Sequence, residues 1–195
     1  MAALTELIPL VRRKAPGIMD IMMLDALFDA FKEFCLKSEY IHKTQSVDHP
    51  KQGDKETLSV SPEYSVLKVD SIYTVSGNGI KRELYLGDDY NRPDPNTVEF
   101  LRNVDSVTIT YIEMPIATAD SLLIDAPNDM LQRYGDAIAA GAASKLRSMP
   151  AQPWTEPNLA VMFERDFTEG QREAYRDRRE QFSSFINKAR KHNFY

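Results

Sequence analysis

Residues 125–170 read DAPNDMLQRYGDAIAAGAASKLRSMPAQPWTEPNLAVMFERDFTEG. Their first half predicts a helix over about 127–148, crowded with Ala137, Ala139, Ala140, Gly141, Ala142, Ala143 and Ser144. Alanine is the best helix former, and small side chains let two helix axes approach at the low end of about 8–10 Å. The face carrying Ala137, Ala140, Gly141 and Ser144 therefore reads as a close helix-packing surface. Its partner is either a helix of the same chain, with 18–38 a candidate, or a second subunit, and the two readings are compatible. Met149 to Pro153 break the helix. Thr155 offers an N-cap hydroxyl, with Glu156 and Pro157 in the first turn of a helix running from about 156 to at least 188. Pro153, Trp154 and Thr155 read as a structural corner, Trp154 being placed to staple onto Leu159. Gly170 marks a bend or weak point in the second helix.

Outward from this pair, Met19, Met22, Met23, Ala26, Leu27, Ala30, Phe31, Phe34 and Cys35 recur at three- and four-residue spacing, a helix over about 18–38. Before it, Leu4, Leu7, Ile8, Leu10 and Val11 form a short helical face that tolerates Pro9 only in its first turn, and Ala15-Pro16-Gly17 breaks the chain. Residues 44–56 are polar and read as a loop. Alternating apolar positions then predict strands around 58–60, 66–75, 83–86, 98–101 and 104–112. Ser76-Gly77-Asn78-Gly79 reads as a hairpin turn and 88–95 as a turn-rich loop. The expected fold class is α+β: a bundle of about four helices (1–43 and 115–195) with an inserted small antiparallel β subdomain (56–114) reached through a linker (44–55).

The chain has 195 residues, 24 Lys and Arg against 29 Asp and Glu, and a formal net charge of -5. A protein that grips nucleic acid by its phosphates is more often basic, so the balance argues against tight binding, though not against a surface that DNA slides past. Cys35 stands alone, which excludes an intrachain disulfide and a multi-cysteine zinc site. The first residues lack the charged start and apolar core of a signal peptide, and no apolar run nears the ~20 residues that span a bilayer. The chain reads as soluble and made in the cytoplasm.

No catalytic or cofactor constellation emerges. His42, His49 and His192 lack partners at metal-ligand spacing. Asp88-Asp89 beside Gly87 suits a turn, and no nucleophile elbow or phosphate cradle is present. The reading is of a non-enzyme without metal or cofactor.

The C-terminal stretch is locally basic and keeps an aromatic stripe: Arg172, Tyr175, Arg176, Arg179, Phe182, Phe185, Lys188, Arg190 and Lys191. It reads either as a solvated amphipathic helix or as a helix that docks on an acidic or grooved protein partner. Interleaved Glu173, Asp177 and Glu180 work against continuous phosphate tracking.

Three segments in order resemble the head-to-tail adaptor (connector) proteins of tailed bacteriophages. The first runs from Leu7-Ile8-Pro9-Leu10-Val11 through Ala15-Pro16-Gly17 and Leu24-Asp25-Ala26-Leu27 to Glu33-Phe34-Cys35. The second is the β insertion at about 56–114. The third is Arg133-Tyr134-Gly135-Asp136-Ala137-Ile138-Ala139-Ala140-Gly141-Ala142, followed by Met149-Pro150, Pro153-Trp154-Thr155-Glu156-Pro157, Leu159-Ala160, Phe163, Phe167 and Gly170. The resemblance implies a structural virion protein in the neck, made in the host cytoplasm. It implies a homo-oligomeric ring of twelve subunits beneath the portal protein, contacting tail or nozzle proteins and surrounding the channel through which phage DNA leaves. The tail from about Gln171 is the expected portal-docking element. A stopper, a tail terminator or another tail-completion protein is the near alternative. A nucleic-acid-binding accessory protein using the basic C-terminal helix is the alternative of another class.

Overall fold

The computed structural model describes residues 2–75, 81–116 and 124–180. In chain order these form β1 (Ala2–Ala3), a 3-10 turn (Leu4–Leu7), α1 (Ile8–Lys14), α2 (Asp20–Ser38), β2 (His42–Asp48), β3 (Lys55–Thr57), β4 (Tyr64–Val75) and β5 (Lys81–Glu83). They continue with β6 (Tyr90–Asp94), β7 (Thr97–Phe100), β8 (Ser106–Pro115), β9 (Asp125–Ala126), α3 (Asn128–Arg147) and α4 (Pro157–Arg179). The fold is α+β, four helices with small antiparallel sheets, as the sequence pattern predicts.

The helices share one core. Met23, Leu27, Phe31 and Phe34 of α2, Met130, Ile138, Ala139 and Leu146 of α3, and Phe167 of α4 are essentially inaccessible to solvent. Leu4, Leu7 and Val11 join them from the N-terminal turn and α1, where Pro9 falls in the first turn and so removes no helical hydrogen bond. A second core fills the β region, built on Leu58, Ile72, Val98, Phe100, Val107 and Ile109. Its main sheet has the order β2-β8-β4-β5, and β3-β7-β6 forms a three-stranded sheet. β1 and β9 pair as a two-stranded ribbon, Ala2 opposite Ala126, tying the start of the chain to the entrance of α3.

Several local expectations are corrected. The expected linker (44–55) contains most of β2, which pairs with β8 from His42–Ile112 to Asp48–Ser106, and the first residue of β3. Its polarity is that of an edge strand with one wet face, not of a loop. The strand expected around 58–60 is instead Lys55–Thr57, and Leu58 follows it as a buried plug. Residues 90–94 of the expected turn-rich loop form β6, whose pairing with β7 shifts register between Asn91 and Asp94 around Pro93. α4 begins at Pro157 with Glu156 as the N-cap residue and no side-chain cap bond. Thr155 instead closes the preceding corner. Gly170 lies inside an uninterrupted α4. The expected hairpin turn at 76–79 lies outside the described residues, as does the part of the last helix expected beyond 180.

Candidate assembly surfaces

The small-residue face of α3 is occupied by α4 of the same chain. A Cβ added to Gly141 would stand 2.6 Å from Phe167 Cδ2, and one added to Gly170 would collide with the Cβ of Ala137. The Ser144 hydroxyl donates to the carbonyl of Ala160 at 2.9 Å. The paired positions rise along α3 as they fall along α4, so the helices run antiparallel. Ala140 is fully buried in this layer. Gly141 thus faces α4 rather than α2, since α2 packs on another side of α3 through Phe34, whose ring lies 5.7 Å from Tyr134 and 6.2 Å from Phe167. Gly170 is a close-approach position, where the missing side chain admits Ala137.

Two phenols anchor the ends of this bundle. Tyr134 Oη donates to Asp177 Oδ2 at 2.8 Å, fixing the last turns of α4 on α3, and Tyr40 Oη donates to Asp129 Oδ2 at 2.7 Å. Burial and then the accepting carboxylates push both hydroxyls well above the usual tyrosine range.

The corner is held from below by Arg147, a residue that sequence reasoning passed over. Its Nε and Nη2 donate to the carbonyl of Lys14 at 2.8 and 2.6 Å, and Nη1 meets Glu156 Oε2 at 2.7 Å. Its guanidinium carbon also lies 6.0 Å from the centre of the Phe163 ring. One side chain so joins the end of α1, the end of α3 and the start of α4. Only its place in the last turn of α3 could have drawn attention to it. Thr155 donates to the carbonyl of Met149 and accepts the N–H of Gln152 at 3.1 Å. Trp154 packs half-buried on the helical core, and Pro153 is exposed.

The expected docking residues divide in two. Arg172, Tyr175, Arg176 and Arg179 are exposed on the last turns of α4. Arg172 and Tyr175 line a groove of about 490 Å³ with Glu33 and Lys37 of α2. Phe182, Phe185, Lys188, Arg190 and Lys191 lie outside the described residues. Large apolar side chains also stand in solvent: Val161 and Met162 on α4, Met19 and Ile21 at the start of α2, and Tyr85 and Leu86 beside Gly87. Asp89 braces that last pair. Buried itself, it accepts Arg82 Nη2 at 2.9 Å and the N–H of Tyr85 at 3.1 Å, with Arg102 at 3.6 Å.

Among the described residues no group of three His, Cys, Asp or Glu side chains is placed to hold a metal ion, and no helix is long and apolar enough to cross a membrane. Cys35 is buried, which pushes its thiol well above the usual range.

Comparison with protein-family models and with curated proteins yields no match. Among solved structures, the chain is similar to one described as "Neck of empty GTA particle computed with C6 symmetry". The identity is 18%, the match covers 80% of this chain and 87% of that one, and the TM-score is 0.32, an overlap too small to assign a fold or a function.

Proposed function

We propose that this protein is a structural component of a phage neck, and within that class a head-to-tail adaptor that forms a ring beneath the portal and surrounds the DNA exit channel. The observation that carries the reading is the ordered resemblance of the three segments that end in the Ala-Gly helix and the Pro-Trp corner. The structure supports it by giving those residues one physical task. Ala137, Gly141 and Ser144 draw α4 onto α3, and Arg147 and Thr155 set the corner between them. The result is a helical body in which α3 and α4 are fixed on one another.

A closed ring needs two different, complementary faces on each subunit. The small-residue face is already covered within the chain, so contacts between copies fall to other surfaces. Among the described residues, Val161 with Met162 on α4, Met19 with Ile21 at the start of α2, and Tyr85 with Leu86 on the β region are apolar pairs available for this. The exposed Arg172, Arg176 and Arg179 lead into the C-terminal segment that docks on the portal. The net charge of -5 suits a channel wall along which DNA moves without sticking.

Electron microscopy of the protein mixed with candidate portal rings tests the reading. A stacked ring of matching rotational symmetry is expected, and removal of residues 181–195 should abolish stacking. A protein that stays monomeric and indifferent to every portal would overturn the adaptor role.

A further inference from the structure

Gln171 stands on the buried stripe of α4, between Phe167 and Ala174, and is 8% exposed. A leucine or methionine there would complete the apolar stripe, so the amide departs from the local packing pattern, as residues at functional positions do. Its Nε2, which carries both amide donors, meets no hydrogen-bond partner among the described residues. Withdrawing a donor from water without giving it an acceptor is costly. Gln171 borders the groove of about 490 Å³ between α2 and α4. Glu33 on the α2 wall is already engaged, its Oε2 lying 2.7 Å from Lys145 Nζ. Lys37 and Arg172, in contrast, are exposed and enter no hydrogen bond or ion pair with the described residues. Glu164 is likewise unpaired among them. The groove thus sets two cations and an unpaired amide donor against a single unpaired carboxylate.

We propose that this groove binds a carboxylate from an acidic segment of a partner protein, held between Lys37 and Arg172, with the Gln171 amide donating to one of its oxygens. A carboxylate accepts several hydrogen bonds and brings no donor, the complement of this wall. Arg172 supplies a planar fork that matches a carboxylate, and Lys37 supplies a point charge. The terminal torsion of a glutamine side chain is broad, so the amide turns to meet the ligand at little cost. Glu164 repels a second acidic group from its end of the groove, which limits the ligand to one carboxylate there. The inference rests on this groove alone and stands apart from the portal reading.

Nuclear magnetic resonance titration of the full ¹⁵N-labelled chain with acetyl-tetraglutamyl amide tests it, with the tetraglutaminyl peptide as control. The side-chain amide signal of Gln171 should shift with the glutamate peptide and stay in place with the glutamine one. Gln171→Met should weaken binding roughly tenfold. Its urea midpoint should equal or exceed that of wild type, because an apolar side chain of similar size replaces an unpaired buried donor. Lys37→Gln and Arg172→Gln, both at exposed positions, should each weaken binding with unchanged stability. A Gln171 signal that ignores the glutamate peptide, or a Gln171→Met chain that binds it like wild type, would overturn the proposal. So would a Gln171→Met chain markedly less stable than wild type, since the amide would then be satisfied within the fold. An equal response to inorganic phosphate would mark a general anion site and overturn the assignment to a carboxylate. A chain indifferent to every portal whose Gln171 signal still shifts would overturn the adaptor role and leave this site standing, and the reverse pair of results would do the opposite.

Discussion

The Cβ position of Gly141 lies 2.6 Å from Cδ2 and 2.7 Å from Cγ of Phe167, closer than any methyl group can stand to a ring. The ring is the fully buried keystone between α3, α4 and Phe34 of α2, so it cannot simply swing away. Gly141→Ala gains helix propensity of about 1 kcal/mol. Overpacking against a fixed ring costs about 1–3 kcal/mol, so a net loss is expected, larger for Gly141→Leu. Urea unfolding of the isolated chain reads it, and Phe167→Leu in the Gly141→Ala background should recover part of the loss. A Gly141→Leu protein that unfolds like wild type would show that this contact is not within the subunit.

Gly170 and Ala137 provide a second reading of the same interface. Gly170→Ala should destabilise by about 1–3 kcal/mol because its new methyl meets the Ala137 Cβ. Ala137→Gly alone should cost about 1 kcal/mol from helix propensity. The two together should cost less than their sum, a coupling of at least about 0.5 kcal/mol in a double-mutant cycle. Strict additivity would place the two residues apart.

Arg147→Met keeps the aliphatic stem and removes every donor. The carbonyl of Lys14 then loses both of its guanidinium bonds, and a loss of about 2–3 kcal/mol is expected. The Glu156 arm contributes little, since that carboxylate is half exposed and its pairing is screened. Glu156→Gln should therefore cost well under about 1 kcal/mol. Comparable losses from the two variants in chemical denaturation would assign the stabilisation to the ion pair instead.

Thr155 distinguishes a corner from a cap. Its hydroxyl donates to Met149 and accepts from Gln152 but touches no N–H inside α4. Thr155→Ser should be nearly neutral and Thr155→Val should cost about 1 kcal/mol. Thr155→Asp, neutral or better at a true N-cap, should destabilise here, because a carboxylate cannot donate to the Met149 carbonyl. A stabilised Asp variant in thermal unfolding would restore the capping role.

How far the residues announce this fold depends on whether a pattern spans one element or several. α2 and α3 are legible because their apolar and small positions recur at helical spacing over five turns. β2 is not, because only Thr44, Ser46 and similar residues mark it and its support comes from β8, far along the chain, from His42 opposite Ile112 to Asp48 opposite Ser106. β6 hides behind Pro93 and Asp94, which a short edge strand accepts. Among the site residues, the approach of α3 and α4 is legible as small side chains, whereas its partner is not. Nothing local tells Gly141 that it faces Phe167 rather than α2. Arg147 is invisible for the same reason, a single charged residue in an ordinary pattern whose meaning comes from the carbonyl of Lys14.

His42 begins β2 where the sheet meets the end of α2, and its imidazolium is disfavoured chiefly by burial and then by the charge of Arg178. Asp70, Glu39 and a backbone bond to Glu39 act in the opposite sense and offset only part of this. The folded-state pKa therefore lies below the ordinary 6.5. On acidification the unfolded chain takes up the proton first, so the unfolded state binds more protons and stability falls as pH drops through 6.5 toward the folded value. Above 6.5 both states are neutral at this residue and the contribution is constant. His42→Gln cannot titrate and should flatten this part of the profile. Urea unfolding of both proteins at about pH 7.5 and about pH 5.5 should show the wild type losing more stability than the variant across the interval. Equal losses would mean that other groups carry the acid sensitivity and that His42 is as freely solvated folded as unfolded.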